Sequence, residues 1–147
     1  MTKDKLKLGV VGCGRIAQAA HFPAVQKAKN VELAAVFDPS ALLAKGAGLQ
    51  LGVPAYTEQQ EFLNAGFDAV LIAIPDRFHV PVSIAALQAG KHVLVEKPVA
   101  VTTAEAETLV RVLDTTGLQL QVGSMKRFDP GIARAQRVIE EGGSAGS

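Results

Sequence analysis

The chain has 147 residues, 48% of them hydrophobic and 20% charged, with a formal net charge of +1. That length gives one domain with a substantial core, and the composition excludes an intrinsically disordered chain. The near-zero charge offers no handle for nucleic acid or an anionic membrane surface. The single cysteine, Cys13, has no internal disulfide partner, which favours a reducing compartment. No apolar run reaches the length of a bilayer span, and the N-terminus carries no apolar targeting segment, so a cytoplasmic location is expected.

Leu6 to Val11 is a short apolar run that stops at glycine, a strand signal. Arg15 to Lys29 has helical character, which Pro23 should bend or break. Val31 to Phe37 reads as a second strand. Ser40 is placed to N-cap a helix running to Leu51. Val53 to Tyr56 is a brief third strand. Thr57 is expected to cap a helix of Glu58 to Asn64, which Gly66 closes. Asp68 to Ile74 is nearly continuous in apolar residues and reads as a central strand. Phe78 to Ala89 is a helix with Gly90 as its C-cap. His92 to Val95 is the next strand. Thr102 and Glu105 fit a capping box that opens a helix to Thr115, and Gly117 stops it. Leu118 to Val122 is a sixth strand, and Pro130 to Glu141 a last amphipathic helix.

This alternation predicts an α/β fold: a doubly wound parallel sheet of about six strands, right-handed crossovers and helices on both faces. The domain is expected to span residues 1–141. Residues 142–147, Gly-Gly-Ser-Ala-Gly-Ser, lack periodicity and read as a flexible linker-like tail. A natural loop cut short and an engineered junction are both open, with the second favoured.

Gly12-x-Gly14-x-x-Ala17 follows a strand and opens a helix, which in that context is the dinucleotide fingerprint of a Rossmann domain. Gly12 permits the tight turn, Gly14 lets the backbone approach a pyrophosphate, and Ala17 keeps the helix close to the strand. Free amides near Arg15 and Ile16 can bind phosphate oxygens. A tight turn with no ligand is the plain alternative. Asp38 ends the second strand at about the expected distance beyond the glycines. Its carboxylate, beside Pro39 and Ser40, can accept both ribose hydroxyls of the adenosine half. The alternative is a turn aspartate before Pro39. Facing the ribose, Asp38 would repel a 2′-phosphate at about 4 Å by roughly 1 kcal/mol in water and about 4 kcal/mol at intermediate dielectric. NAD is therefore favoured over NADP.

The strand Asp68 to Ile74 should end over the cofactor crevice, with Ile74, Pro75 and Asp76 forming the floor near the nicotinamide ribose. His79 is placed to hydrogen-bond to cofactor or substrate. A bland reading is compatible with this: Asp76 caps the next helix and His79 sits in its first turn. Cys13 and the histidines lack ligand spacing, so no metal site is expected.

The strand His92-Val93-Leu94-Val95 ends at Glu96-Lys97-Pro98, an unusual finish for a core element. On its own, Lys97 would be a solvated lysine. The surrounding blocks change that reading. Ala73-Ile74-Pro75-Asp76-Arg77-Phe78-His79, Ala89-Gly90-Lys91-His92-Val93-Leu94-Val95-Glu96-Lys97-Pro98 and Arg127-Phe128-Asp129-Pro130, together with the glycine turn and Phe37-Asp38, resemble the N-terminal half of the Gfo/Idh/MocA oxidoreductases. The resemblance covers residues 5 to about 141. It implies a Lys97 that lies between nicotinamide and substrate, donates to the substrate oxygen and stabilises alkoxide charge. It implies a frequently cis Lys97-Pro98 bond, Glu96 beside the nicotinamide ribose, and Arg127 among the cofactor contacts. Asp76 departs from the Asn of many relatives, and Ser124 from an aromatic residue or Asn.

Members of that family are roughly twice as long, and their second half supplies the substrate pocket. The resemblance therefore implies an NAD-dependent oxidoreductase acting on a sugar- or polyol-like alcohol, represented here by its cofactor half without the substrate domain. Such a chain is expected to bind the dinucleotide, to turn over negligibly, and to self-associate through apolar surface left uncovered. The alternative is a free-standing or engineered nucleotide-binding module or scaffold without catalysis.

Overall fold

The structure is a computed structural model describing residues 4–123 and 130–141. Six strands, β1 (Leu6–Val11), β2 (Val31–Phe37), β3 (Ala55–Tyr56), β4 (Ala69–Ile72), β5 (His92–Glu96) and β6 (Leu120–Gly123), form one parallel sheet. Their order is β3-β2-β1-β4-β5-β6. The helices are α1 (Phe22–Lys27), α2 (Ala41–Leu51), α3 (Gln59–Leu63), α4 (His79–Gln88), α5 (Thr103–Thr116) and α6 (Pro130–Glu140). No helix among the described residues is long and apolar enough to cross a membrane.

The strands are apolar because both sheet faces are covered. Along β4, Val70 and Ile72 enter one core cluster while Ala69 and Leu71 enter the other. The same alternation separates Val11 from Val10 and Phe37 from Val36, as a side-chain period of two requires. Phe62 of α3, Val80 and Leu87 of α4 and Leu109 of α5 cover the first face. Phe22 and Val25 of α1 and Ala47 of α2 cover the second. Gly9 sits where a Cβ would lie 2.7 Å from Phe62 and 2.8 Å from Phe67, so its missing side chain lets the aromatic pair close on β1.

Several helix ends follow their sequence signals. Ser40 Oγ accepts the Leu43 N–H at 3.4 Å, and left-handed Gly52 closes α2. Gly90 is left-handed after α4, and the Lys91 N–H returns to the Ala86 carbonyl at 3.0 Å. Thr102 Oγ1 accepts the Glu105 N–H at 3.2 Å, and Glu105 reaches back to the Val101 N–H.

Other expectations fail for local reasons. Pro23 does not break its helix. The chain stays helical from residue 15 to 27, with a π-helical turn at Ala17–His21 just before α1. Pro23 follows that turn directly, at the start of α1, and the Phe22 N–H bonds back to the Ala17 carbonyl across the π turn. Thr57 does not cap α3, because the helix starts later and Glu58 takes the cap position without a side-chain bond. Gly66 is not left-handed. α3 instead ends through Asn64, and the Ala65 N–H bonds back to the Phe62 carbonyl at 3.1 Å. The strand expected to reach Ile74 stops at Ile72, which leaves Ala73 and Ile74 in the loop above the sheet.

Candidate functional site

The crossovers leave β1 and β4 side by side at the point where the strand order reverses, the place where open α/β sheets form a crevice. A cleft of about 350 Å3 lies there, lined by Ile16, Ala73, Ile74, Asp76, His79, Glu96 and Lys97. These residues come from the carboxyl ends of β1, β4 and β5.

Gly12 and Gly14 differ in what they require. Gly12 has φ +100°, and a Cβ there would lie 2.2 Å from the Ala73 carbonyl oxygen. Conformation and contact both demand glycine. At Gly14 a Cβ would meet no protein atom within 4 Å, and φ lies outside the left-handed region. Packing of this chain does not explain Gly14. The missing side chain leaves clear the surface above the turn. Ala17 is fully buried under the helix, which seats it against the sheet. The first helical bond runs from Gln18 N–H to the Gly14 carbonyl at 3.1 Å, so the amides of Arg15 and Ile16 precede the ladder.

Asp38 is tied to this turn. Its Oδ2 accepts the Cys13 N–H at 2.9 Å and its Oδ1 accepts the Ser40 N–H at 2.8 Å. The turn role weighed from sequence is thus present, and each oxygen keeps accepting capacity. Pro39 is exposed beside it, and Ser40 caps α2. Cys13 is fully buried, with its thiol pushed up to about 12 by burial and then by the Asp38 carboxylate. It is therefore no nucleophile at neutral pH.

On the other side of the cleft, Pro75 precedes a 3-10 turn, Asp76–Phe78, and Asp76 is exposed. Asp76 makes no capping bond, so the helix-cap alternative for it is not realised. The expectation that His79 bonds to a cofactor or substrate is corrected. His79 does open α4, but its ring is 1% exposed. Its Nδ1 lies 2.6 Å from the Pro98 carbonyl and its Nε2 lies 2.8 Å from the Ile74 carbonyl. Both nitrogens are occupied by backbone, leaving none for a ligand.

Glu96 ends β5, and its Oε1 lies 2.8 Å from His21 Nε2. Nε2 makes no hydrogen bond of good geometry, so this is a close polar contact rather than an aligned bond. His21 was not singled out by its sequence context. Its approach to Glu96 follows a π turn that no local pattern announces. Lys97 is exposed on the cleft, its bond to Pro98 is cis, and its side chain has no hydrogen bond or ion pair among the described residues. Arg127 lies outside the described residues.

This arrangement fits a dinucleotide: a cleared glycine turn, a carboxylate at the end of β2, and a cleft lined by Lys97, whose ammonium has no partner among the described residues. Comparison with known proteins agrees. Residues 6–124 match the Gfo/Idh/MocA family, described as an oxidoreductase family with an NAD-binding Rossmann fold. The chain is 34% identical over 144 residues to inositol 2-dehydrogenase of Corynebacterium glutamicum, covering 93% of this chain and 42% of that protein. The WlbA dehydrogenase of Bordetella pertussis, solved with NADH and UDP-GlcNAcA, superposes with a TM-score of 0.91 at 29% identity over 97% of this chain and 43% of that one. The 3-ketoreductase KijD10 of Actinomadura kijaniata, solved with TDP-benzene and NADP, gives a TM-score of 0.86 at 29% identity over 95% of this chain and 45% of that one. The chain thus spans less than half the length of the relatives it matches. Within that span, both the fold and the sequence make it a member of the Gfo/Idh/MocA oxidoreductase family, represented by the NAD-binding Rossmann domain.

Proposed function

We propose that this chain is the NAD-binding domain of an oxidoreductase acting on a sugar- or polyol-like alcohol. The observation that carries the reading is the cleft at the strand-order reversal, which joins the glycine-turn side to exposed Lys97. Gly12, Gly14 and the amides of Arg15 and Ile16 hold the pyrophosphate. Asp38, with Pro39 and Ser40, receives the adenosine ribose. Ile74, Pro75, Asp76 and Glu96 line the nicotinamide side, and Arg127, outside the described residues, is carried over from the family resemblance as a further cofactor contact.

Nicotinamide, when bound, supplies the hydride acceptor and donor. Lys97 supplies the proton chemistry. Its ammonium donates to the substrate oxygen and stabilises developing alkoxide charge, and its free amine takes the alcohol proton in the reverse direction. Among the described residues no second ionisable group pairs with Lys97, and His79 is spent on backbone carbonyls. With no second ionisable group paired with Lys97 among the described residues to hold an alcohol near attack distance, this chain by itself is expected to bind and not turn over.

Asp38 sets the cofactor preference. Its carboxylate would oppose a 2′-phosphate, which favours NAD over NADP. Fluorescence titration tests both parts. NADH should bind saturably and more tightly than NADPH, and Asp38→Ser should narrow that ratio by roughly tenfold or more. No saturable NADH signal would overturn the dinucleotide reading. An unchanged ratio in the variant would overturn the role of Asp38. Vigorous oxidation of a polyol by the chain alone would refute its inactivity, and binding without turnover supports it.

A further inference from the structure

His79 belongs to neither the glycine turn nor the Glu96-Lys97-Pro98 turn, yet it bonds to both loops that wall the nicotinamide side of the cleft. The ring lies between the Pro98 and Ile74 carbonyls at 2.6 and 2.8 Å, in a site that is 1% exposed, so it ties the two loops together through backbone.

The two carbonyls are placed to matter. One belongs to Pro98, directly after Lys97, and the other to Ile74, which lines the cleft. Lys97 has no side-chain partner of its own among the described residues, so its backbone sets where the ammonium points. On its other side, Glu96 is braced by His21 at 2.8 Å.

We propose that His79 is a positioning residue, clamping the turn that bears Lys97 to the loop after β4. The proposal rests on the dinucleotide reading.

Binding of ADP and of NADH tests the positioning, since ADP occupies only the adenosine side. His79→Leu removes both ring nitrogens, whereas His79→Gln retains a polar amide. ADP affinity should hold in both variants. NADH affinity should fall roughly tenfold in His79→Leu and less in His79→Gln, about the loss of one hydrogen bond. NADH affinity equal to wild type in both variants overturns the positioning role. If His79→Leu does not fold, the shift in His79→Gln decides. A wild-type chain that binds neither ligand overturns the dinucleotide reading, whereas wild-type binding that both variants keep overturns the positioning alone.

Discussion

Gly12 and Gly14 carry the same letter for different reasons, and substitution separates them. A methyl at Gly12 meets the Ala73 carbonyl at 2.2 Å on a backbone at φ +100°. Gly12→Ala should therefore cost about 3 kcal/mol or more in urea unfolding. A methyl at Gly14 meets nothing. Gly14→Ala should leave stability within about 1 kcal/mol of wild type and weaken NADH binding by roughly tenfold or more. Equal stability losses in the two variants would contradict this. Cys13 offers a pH test. Its folded-state value lies near 12, raised from 9.0 by burial and by Asp38. Above 9.0 the unfolded chain loses the proton first, so the contribution of Cys13 is full below that pH and declines as pH rises toward 12. The stability advantage of wild type over Cys13→Ala should shrink between about pH 9 and pH 11, with a limiting slope of about 1.4 kcal/mol per unit. The positions of Gly12, Gly14 and Asp38 were legible because the spacing of a turn is a local property. The partners of His79 were not, since one of its two carbonyls lies 19 residues away.

At the scale of elements, apolar runs marked the central strands β1 and β4, because a strand buried on both faces needs apolar residues throughout. Helix boundaries were less legible where the cap is backbone rather than side chain, as at α3. The π turn at Ala17–His21 is the clearest example. It leads directly into Pro23 at the start of α1, with no break in the helix. In an ordinary helix interior, replacing proline with alanine would recover about 3 kcal/mol. Here Pro23→Ala should change unfolding free energy by less than about 1 kcal/mol. A gain near the larger figure would mean that the π turn is strained rather than accommodating. Lys91 shows how a buried charge can brace two elements. Its ammonium donates to the Ala65 and Phe67 carbonyls at 3.0 and 2.6 Å and sits 4.4 Å from the Phe67 ring centre. Burial lowers its proton affinity, and Asp68 partly restores it.

At the scale of the whole molecule, apolar side chains remain in contact with water. Leu42 and Leu49 of α2 are 83% and 87% exposed, and Ile139 of α6 is 75% exposed beside Val138. Light scattering should show a mass above that of the monomer as concentration rises, and the double substitution Val138→Glu with Ile139→Glu should reduce it. A monomer at every concentration would contradict this. The sequence by itself determined the fold class, the glycine turn and the order of strands and helices along the chain, because each depends on neighbours a few residues apart. Tertiary structure decided the rest. Which strands lie side by side, and hence where the cleft opens, follows from crossovers that no local pattern contains. Placing Lys97 in one cleft with Ile16 and Asp76 required the ends of three strands to meet. His79 became a tie between loops rather than a ligand because burial leaves a polar ring no stable choice but to bond the carbonyls around it.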